Sequence, residues 1–449
     1  MSYLCIVAGM AGCGAGIVDE NSPPEAVTGS NPVDGSGDEF CAPANRGKPY
    51  RALDFTGNLR VMTAGAAPHP ASDPALFATG DEAADGDSRT GILPCQSLSE
   101  LVRNHELIAL SEIGEDQIQP ASLDLRLGPV AYRVPASFLP GPEKTVMGKI
   151  RELGMYPVDI STGAVLEKGS VYIVPLLESV ALGFRMTGFA NPKSSTGRLD
   201  IFTRLIVDGG TTFDRVESGY RGPLYAEIAP RTFSVVVRTG SRLNQLRLRR
   251  GSPPTSEAAL KRLHEMTPLV HGGKAEIRDD NIGVTLDLSG DPQTGLVGYR
   301  AKKHTDVIDV DRKRHYDPVD FWEPVHVRAG RGIVLNPDDF YILATKEGVT
   351  VPPDHAAEMI AYDTMVGEFR VHYAGFFDPG FGWGIEGGTR AVLEVRSHEV
   401  PFLLEHEQTV GWLRYEKLAG KPDRLYGQDI GSHYAKQGLT LAKQFRPWE

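Results

Sequence analysis

The sequence contains an internal repeat. Six short segments recur in the same order further along the chain, at steady offsets of 161 to 169 positions. The paired segments are Ser122–Arg126 and Thr285–Ser289, Tyr132–Arg133 and Tyr299–Arg300, Val165–Leu166 and Val334–Leu335, Glu217–Tyr220 and Asp378–Phe381, Tyr225–Glu227 and Val392–Glu394, and Leu246–Arg247 and Leu413–Arg414. Spacing this regular over six segments indicates a tandem duplication, so the fold must be one that each copy can adopt.

Each copy is rich in short strand-like runs. Segments such as Ser170–Pro175 and Phe233–Arg238 favour strands, and Gly and Pro residues separate them from their neighbours. This pattern is typical of an all-β sandwich or barrel rather than of alternating strands and helices. We therefore predict an all-β protein with two tandem β-barrel or jelly-roll domains and a few short helices.

Composition divides the chain into five segments. Residues 1–90 are rich in Gly, Ala, Asp, Ser and Pro without helix or strand periodicity, so we expect them to be disordered. A translation start at Met62 is the alternative. Residues 252–275 surround a helical segment with Pro and Gly pairs, which is typical of a connector. The predicted domains are then 91–251 and 276–420, and residues 421–449 form a C-terminal tail.

Charge and cysteine content exclude several classes of function. The formal net charge is -11 and is spread along the chain, so we expect no nucleic-acid partner. No segment approaches the ~20 apolar residues that a membrane span requires. All four cysteines lie in the first hundred residues without zinc or disulfide spacing, which favours the cytoplasm. The run Arg247–Arg250 alternates with Leu like a strand and is interpreted as a solvated face.

A polar turn in the first copy combines hydroxyls with cations. The segment Asn191–Arg198 reads Asn-Pro-Lys-Ser-Ser-Thr-Gly-Arg. At the start of a helix, Ser194 and Ser195 would offer hydroxyls and backbone N–H groups to a polyphosphate, while Lys193 and Arg198 would add positive charge. The same residues are also typical of an ordinary solvated helix cap, so the segment alone leaves both interpretations open.

A carboxylate stands in the apolar strand that follows. Within Asp214–Ile228, a turn precedes a strand in which Glu227 alternates with Tyr225. One face of such a strand can press the carboxylate into a dry pocket, where a raised pKa would suit proton transfer near neutral pH. The alternative is an edge strand that exposes Glu227 to solvent.

In combination, these segments resemble the deoxycytidine triphosphate deaminase family. The similarity rests on Gln119–Gly128, Lys193–Arg198 and Arg215–Glu227 in the family's order and approximate spacing, and on the tail from Tyr426 to Gly438. It implies dUTPase-like (β-clip) domains and the hydrolysis of dCTP to dUTP and ammonia. It further implies a homo-oligomer with threefold or pseudo-threefold association, and inhibition by dTTP as relatives often display.

The resemblance implies a role for each matching residue. Glu227 or Glu394 would shuttle protons, and Ser194 and Arg198 would help to place the attacking water. Either Glu217 or Asp378 would hold the deoxyribose hydroxyl. Further implied substrate contacts are Lys193, Ser195, Tyr225, Tyr426, His433 and Gln437.

The two copies depart from the family pattern in different ways. In the first copy, Lys193 replaces the usual Arg, and Glu217 replaces the Asp of an Asp-Pro-Gly turn. The second copy keeps this turn at Asp378, but its counterpart of the phosphate motif, residues 361–366, carries no cation. Because sites in this fold form between barrels, we hypothesise a composite site, with a competing arrangement that uses Glu227 instead. The composite site contains Ser194, Ser195, Arg198, Asp378, Glu394 and the tail.

The chemistry expected of this site needs no protein-bound metal. The zinc-deaminase signatures His-x-Glu and Pro-Cys-x-x-Cys do not occur in the sequence. We therefore predict no cofactor in the protein, with Mg²⁺ carried by the substrate triphosphate. Two other functions stay open: a dUTP diphosphatase or bifunctional deaminase–diphosphatase, and a non-catalytic nucleotide-binding protein. A Glu in the same strand of both copies favours the deaminase.

Overall fold

Short β-strands dominate the fold of this chain, which is described here from a computed structural model. The structure describes residues 90–273, 275–327, 331–360, 369–371, 375–397, 399–427 and 438–448. Its helices are short: α1 (Cys95–Arg103), α2 (Val146–Leu153), α3 (Ser194–Gly197), α4 (Glu257–Met266), α5 (Pro318–Phe321) and a 3-10 turn at Glu115–Gln117. The predicted all-β class is confirmed, whereas the segment 1–90, predicted to be disordered, lies outside the described residues except for Thr90.

Thirteen strands belong to the first half of the described chain. They are β1 (Gly91–Ile92), β2 (Leu107–Ala109), β3 (Leu123–Asp124), β4 (Val130–Val134), β5 (Tyr156–Asp159), β6 (Ala164–Leu166), β7 (Val171–Ala181), β8 (Met186–Pro192), β9 (Ile201–Val207), β10 (Arg215–Val216), β11 (Arg221–Pro230), β12 (Val235–Val237) and β13 (Asn244–Arg250). Most of them form two sheets, β1-β13-β8-β10 with β3 beside β13, and β5-β4-β7-β11-β9 with β2 beside β7.

Fourteen further strands are described in the second half. They are β14 (Val270–His271), β15 (Ile277–Arg278), β16 (Asn281–Thr285), β17 (Leu296–Ala301), β18 (Ile308–Asp309), β19 (Trp322–His326), β20 (Ile333–Leu335), β21 (Phe340–Val349), β22 (His355–Ile360), β23 (Phe369–Val371), β24 (Phe376–Phe377), β25 (Thr389–Ser397), β26 (Phe402–Leu404) and β27 (Thr409–Lys417). Their main sheets are β15-β16-β27-β22-β24 and β19-β17-β21-β25-β23, with β14 beside β21.

The strand orders of the two halves correspond. The order β5-β4-β7-β11-β9 in the first half has the same sequence-order pattern as β19-β17-β21-β25-β23 in the second half. The repeated segments Tyr225–Glu227 and Val392–Glu394 lie in β11 and β25, which occupy the same place in these two sheets. Equivalent sequence segments therefore occupy equivalent strands.

Alternation along β25 directs its two faces to different neighbours. Leu393 and Val395 belong to a core cluster drawn from residues beyond 259, whereas Val392 packs against the main core, which is built largely from the first half. Because successive side chains of a strand point to opposite faces, Glu394 and Arg396 lie on the same face as Val392. The sequence of β25 thus places a carboxylate and a guanidinium toward the first half.

Aromatic packing anchors the last described segment of the tail. The ring of Phe445 lies 5.4 Å from that of Phe321 and 6.0 Å from that of Trp322, and the ring of Trp448 lies 5.0 Å from that of Tyr299. Such aromatic contacts bury large apolar area and fix ring geometry. They hold residues 438–448 against the second half and position the residues just before Phe445.

Candidate active site

The Ser-Ser motif lies on a single helical turn that follows β8. Ser195 is buried in this turn, whereas Ser194 is exposed. The hydroxyl of Thr196 donates a hydrogen bond of 2.7 Å to the backbone oxygen of Leu243, next to the start of β13. Because this bond ties the turn to a neighbouring strand, both serines have fixed positions at the edge of the first half.

Two cations flank this turn, and both contact other parts of the chain. The ammonium of Lys193 forms an ion pair with the buried carboxylate of Asp124 in β3. Arg198 is buried, and its Nη1 donates a hydrogen bond of 2.8 Å to the backbone oxygen of Thr440 in the tail. The motif therefore joins the first half to the C-terminal tail.

The Asp-Pro-Gly turn of the second half is held by an arginine of the first half. Arg247 Nη2 lies 3.2 Å from Asp378 Oδ1, and Nη1 donates a hydrogen bond of 3.1 Å to the backbone oxygen of Ala357. The guanidinium also stacks 3.9 Å from the ring centre of Phe376. Burial raises the pKa of Asp378, and the neighbouring Arg247 acts against this shift.

Tyr426 packs directly on this turn. Its backbone N–H donates a hydrogen bond of 2.9 Å to the backbone oxygen of Pro379. Gly380 has a φ of +95° there, and a Cβ at this position would lie 3.1 Å from the Tyr426 backbone. Glycine is therefore required both for the left-handed conformation and for the close approach of the tail.

Glu394 is the buried carboxylate of the second-half strand β25. This residue is 6% exposed, and burial raises the pKa of its carboxyl group to about 7. The positive charge of Arg198 lowers this pKa and the negative charge of Asp200 raises it, so both first-half groups act on the second-half carboxylate. A carboxyl group with a pKa near neutrality can both accept and return a proton at physiological pH.

One cavity brings these groups together. It has a volume of about 610 Å³ and is lined by residues of both halves and the tail. The lining includes Lys193, Ser194, Ser195, Arg198, Asp378, Glu394 and Tyr426, all of which the sequence proposed as site residues. The composite arrangement hypothesised from the sequence thus corresponds to a single cavity, while the roles of its members stay predictions.

The other candidate residues lie elsewhere or outside the described ranges. Glu217 is exposed in the turn between β10 and β11, and Tyr225 is buried in a small cluster with residues of α2. Glu227 is 1% exposed, and its Oε1 forms an ion pair of 2.5 Å with Arg204. None of the three lines the cavity. His433, Gln437 and the segment 361–366 lie outside the described residues.

The sequence interpretation missed one residue that contacts the cavity lining and one that belongs to it. The expectation that Arg247 belongs to a solvated face is wrong, because its side chain is only 2% exposed and pairs with Asp378, which lines the cavity. Alternation placed it correctly on the face opposite Leu246 and Leu248, but a local pattern does not show that the second half covers that face. Lys443 does line the cavity, and burial lowers its pKa to about 8, helped by the nearby cations Lys193 and Lys313.

Two further features are absent from the described ranges. Those residues contain no group of three or more His, Cys, Asp or Glu side chains that could hold a metal ion. No helix among them is long and apolar enough to cross a membrane.

Two sequence profiles of one family match the chain. Residues 89–252 match the N-terminal domain of 2′-deoxycytidine 5′-triphosphate deaminase, and residues 256–445 match the C-terminal domain of the same enzyme. These two regions contain all residues that line the cavity.

Individual relatives carry the same name. A Halobacterium salinarum protein named dCTP deaminase, dUMP-forming, is 34% identical over 124 residues, which are 27% of this chain and 60% of that protein. A protein of the same name from Mycolicibacterium vanbaalenii is 28% identical over 182 residues, covering 38% of this chain and 93% of the relative.

A solved structure extends the similarity over both halves. The crystal structure of 2′-deoxycytidine 5′-triphosphate deaminase from Agrobacterium tumefaciens is 54% identical in sequence, with a TM-score of 0.73. The match covers 76% of this chain and 100% of that one. This chain belongs to the 2′-deoxycytidine 5′-triphosphate deaminase family.

Proposed function

We propose that the chain catalyses the hydrolytic deamination of dCTP to dUTP and ammonia. The observation that carries this proposal is the position of Glu394, a buried carboxyl group with a pKa raised to about 7, in the same cavity as the Ser-Ser-x-x-Arg turn. Family membership and the names of the relatives support the same substrate.

In the proposed reaction, Glu394 carries protons between water and the cytosine ring. The ionised carboxylate takes a proton from water as the hydroxide oxygen adds to C4, and then delivers that proton to N3. It next moves the proton of the new hydroxyl group to the exocyclic nitrogen. The C4–N bond breaks, ammonia leaves and the C4 carbonyl of dUTP forms, so that Glu394 returns to its ionised state.

Ser195 and Arg198 are suited to orient the attacking water. Ser195 takes the role that the family resemblance implied for Ser194, because Ser195 is buried and Ser194 is exposed. The positive charge of Arg198 acts on Glu394, and Ser195, Arg198 and Glu394 all line the same cavity. A fixed hydroxyl and a fixed guanidinium hold water near the ring without the entropic cost of ordering it in each turnover. We assign the metal-free route to these three side chains, with Mg²⁺ bound to the phosphate oxygens of the substrate.

The other cavity residues suit the sugar and the triphosphate. Asp378 is held by Arg247 in a tight turn, so its carboxylate has a defined direction for the deoxyribose hydroxyl. Lys193 and Ser194 are assigned to the phosphates, and Tyr426 is assigned to closure of the site from the tail. In this assignment Lys193 must exchange its pairing with Asp124 for a phosphate contact.

The fold itself is assigned to two dUTPase-like copies. The corresponding strand orders of the two halves, and the repeated segments at equivalent places in them, support this assignment. It makes the cavity a junction between copies, with the phosphate motif from one and the base pocket from the other.

A second candidate is a bifunctional enzyme that releases dUMP. The names of the Halobacterium and Mycolicibacterium relatives include the words dUMP-forming, which favours this product. Such an enzyme would also hydrolyse the bond between the α- and β-phosphates and release pyrophosphate.

Product analysis separates the two candidates. Purified full-length protein is incubated with dCTP and Mg²⁺, nucleotides are separated by ion-exchange chromatography, and ammonia and pyrophosphate are measured in the same samples. We expect equal amounts of dUTP and ammonia without pyrophosphate. Equal amounts of dUMP, ammonia and pyrophosphate would identify the bifunctional enzyme, and a reaction without ammonia would contradict both candidates. The Glu394→Gln variant, prepared identically, controls for contaminating deaminases.

A further inference from the structure

A buried ion pair crosses the junction beside the candidate site. Arg396 in β25 pairs through Nη2 with Asp200, the residue just before β9, and the two side chains are only 4% and 1% exposed. Thr232 donates a hydrogen bond of 2.6 Å to the same carboxylate oxygen and accepts one of 3.0 Å from Arg396 Nη2. The guanidinium also donates to the backbone oxygen of Asp338. This network fixes both charged groups in one geometry.

Each member of the pair lies two residues after a group of the candidate site. Arg396 follows Glu394 by two positions on the same face of β25, and Asp200 follows Arg198 by two positions where the helical turn becomes β9. Side chains two apart on a strand share a face and lie about 7 Å apart. The contact between Asp200 and Arg396 therefore limits how far Arg198 can move relative to Glu394.

The backbone at Asp200 indicates that the carboxylate matters at this position. Its φ is +54°, in the left-handed region that glycine adopts without strain. The local turn is closed by backbone hydrogen bonds from Asp200 N–H to the Gly197 oxygen (2.8 Å) and from Arg231 N–H to the Asp200 oxygen (2.9 Å). A residue kept in a sparsely populated conformation needs support from its surroundings, and here the side chain provides it through the bond to Arg396.

We propose that Asp200 and Arg396 are positioning residues that hold Glu394 in register with Arg198 across the junction between the two halves. This inference rests on the proposed function, in which Glu394 transfers protons. Neither residue needs to touch the nucleotide. Their effect on the reaction is to keep the proton-transfer group and the water-orienting cation at a fixed separation, since misplacement by about 1 Å can cost about 100-fold in rate.

The charge of Asp200 gives this role a signature that a purely structural tie would lack. Two charged groups act on Glu394, and both are in the first half: Arg198 and Asp200. Arg390 and Arg396 share its strand. The other charged side chains that line the same cavity are Asp116, Asp124, Lys193, Arg242, Asp311, Lys313, Asp378 and Lys443. The negative charge of Asp200 raises the pKa of Glu394. Removing it must therefore lower that pKa and move the acidic limb of the pH–kcat profile to lower pH.

Another ion pair across the same junction offers a matched control. Arg249 Nη1 lies 2.9 Å from Glu416 Oε1, so this pair also joins β13 of the first half to β27 of the second. Neither residue lines the cavity. Loss of this pair should reduce the stability of the junction without moving Glu394.

The experiment compares full-length wild type with Asp200→Asn, Arg396→Lys and Glu416→Gln. For each, kcat and KM for dCTP are measured from pH 5 to 9, and the urea midpoint reports stability. We expect Asp200→Asn to lower kcat about 10- to 100-fold, with KM changed less than about threefold, and to shift the acidic limb to lower pH. Arg396→Lys keeps the charge but loses the planar fork, so kcat should fall while the limb stays in place. Glu416→Gln should change only the urea midpoint.

Two results would overturn the inference. If Asp200→Asn and Arg396→Lys lower the urea midpoint as Glu416→Gln does, but leave kcat and the acidic limb unchanged, the pair is only a structural tie. Should Asp200→Asn fail to fold, Arg396→Lys decides by kcat alone: an unchanged kcat with a lowered urea midpoint would overturn the inference. If wild type itself does not deaminate dCTP, the proposed function fails and the inference fails with it.

Discussion

The two halves contain equivalent carboxylates in different surroundings. Glu227 in β11 and Glu394 in β25 occupy corresponding strands of corresponding sheets, and both side chains are buried. Arg204 stands directly across from Glu227 on β9 and binds Oε1 through Nη2 (2.5 Å) and Nε (3.0 Å). Glu394 instead lines a cavity between the halves, where burial keeps its pKa near 7.

The neighbours of each strand face explain this difference. The face of β11 that carries Tyr225 is covered by a small cluster that includes Val146 and Ile150 of α2, and Arg204 stacks 3.5 Å from the ring centre of Phe213. The first half thus covers this face with its own residues. The corresponding face of β25 meets the other half instead, and a cavity remains there. A buried carboxylate serves structure when a neighbouring strand supplies its counter-charge, and becomes available for chemistry when it faces a cavity.

Substitution of the two glutamates tests this comparison most directly. We expect Glu394→Gln to lower kcat for dCTP deamination about 1000-fold, since Gln cannot accept a proton from water. Glu227→Gln should stay within about threefold of wild type, because Glu227 does not line the cavity. Initial rates of ammonia release measure both. The opposite result would move the catalytic role to Glu227, and full activity of both variants would refute the mechanism.

The pH dependence of the reaction should follow the ionisation of Glu394. Only the ionised carboxylate accepts a proton, and its pKa is raised to about 7 by burial, so kcat/KM should rise about tenfold per pH unit below 7 and level off above it. Asp214, whose pKa burial also raises to about 7, lies on the first half away from the cavity. Asp214→Asn is therefore the matched control and should keep the acidic limb. If Asp214→Asn loses the acidic limb, the limb reports the ionisation of Asp214 and not that of Glu394.

The sequence locates the contiguous motifs of the composite site, but it does not show which strand face borders a cavity. The Ser-Ser turn and the Asp-Pro-Gly turn could be located because their chemistry depends on contiguous residues. Glu227 and Glu394 could not be ranked, because alternation shows which face a side chain occupies but not what covers that face. The misinterpretation of Arg247 has the same cause: its partners are Asp378 and the backbone of Ala357, more than a hundred positions away.

Stability should also distinguish the two carboxylates, with a smaller effect. The folded-state pKa of Glu394 lies above its ordinary value of 4.5, so its contribution to stability is complete at low pH and is lost as pH rises toward 7. The Glu394→Gln variant does not lose this stability, because the Gln side chain does not ionise. Its free energy of unfolding relative to wild type should therefore grow by about 2 kcal/mol between pH 5 and pH 8.

Glu227→Gln should instead be less stable than wild type by about 1–3 kcal/mol at pH 8, since Arg204 loses its partner. Urea denaturation of wild type and both variants at the two pH values measures these differences. If Glu394→Gln gains no stability as pH rises, the carboxylate is not destabilised by burial, and the contrast with Glu227 loses its electrostatic basis.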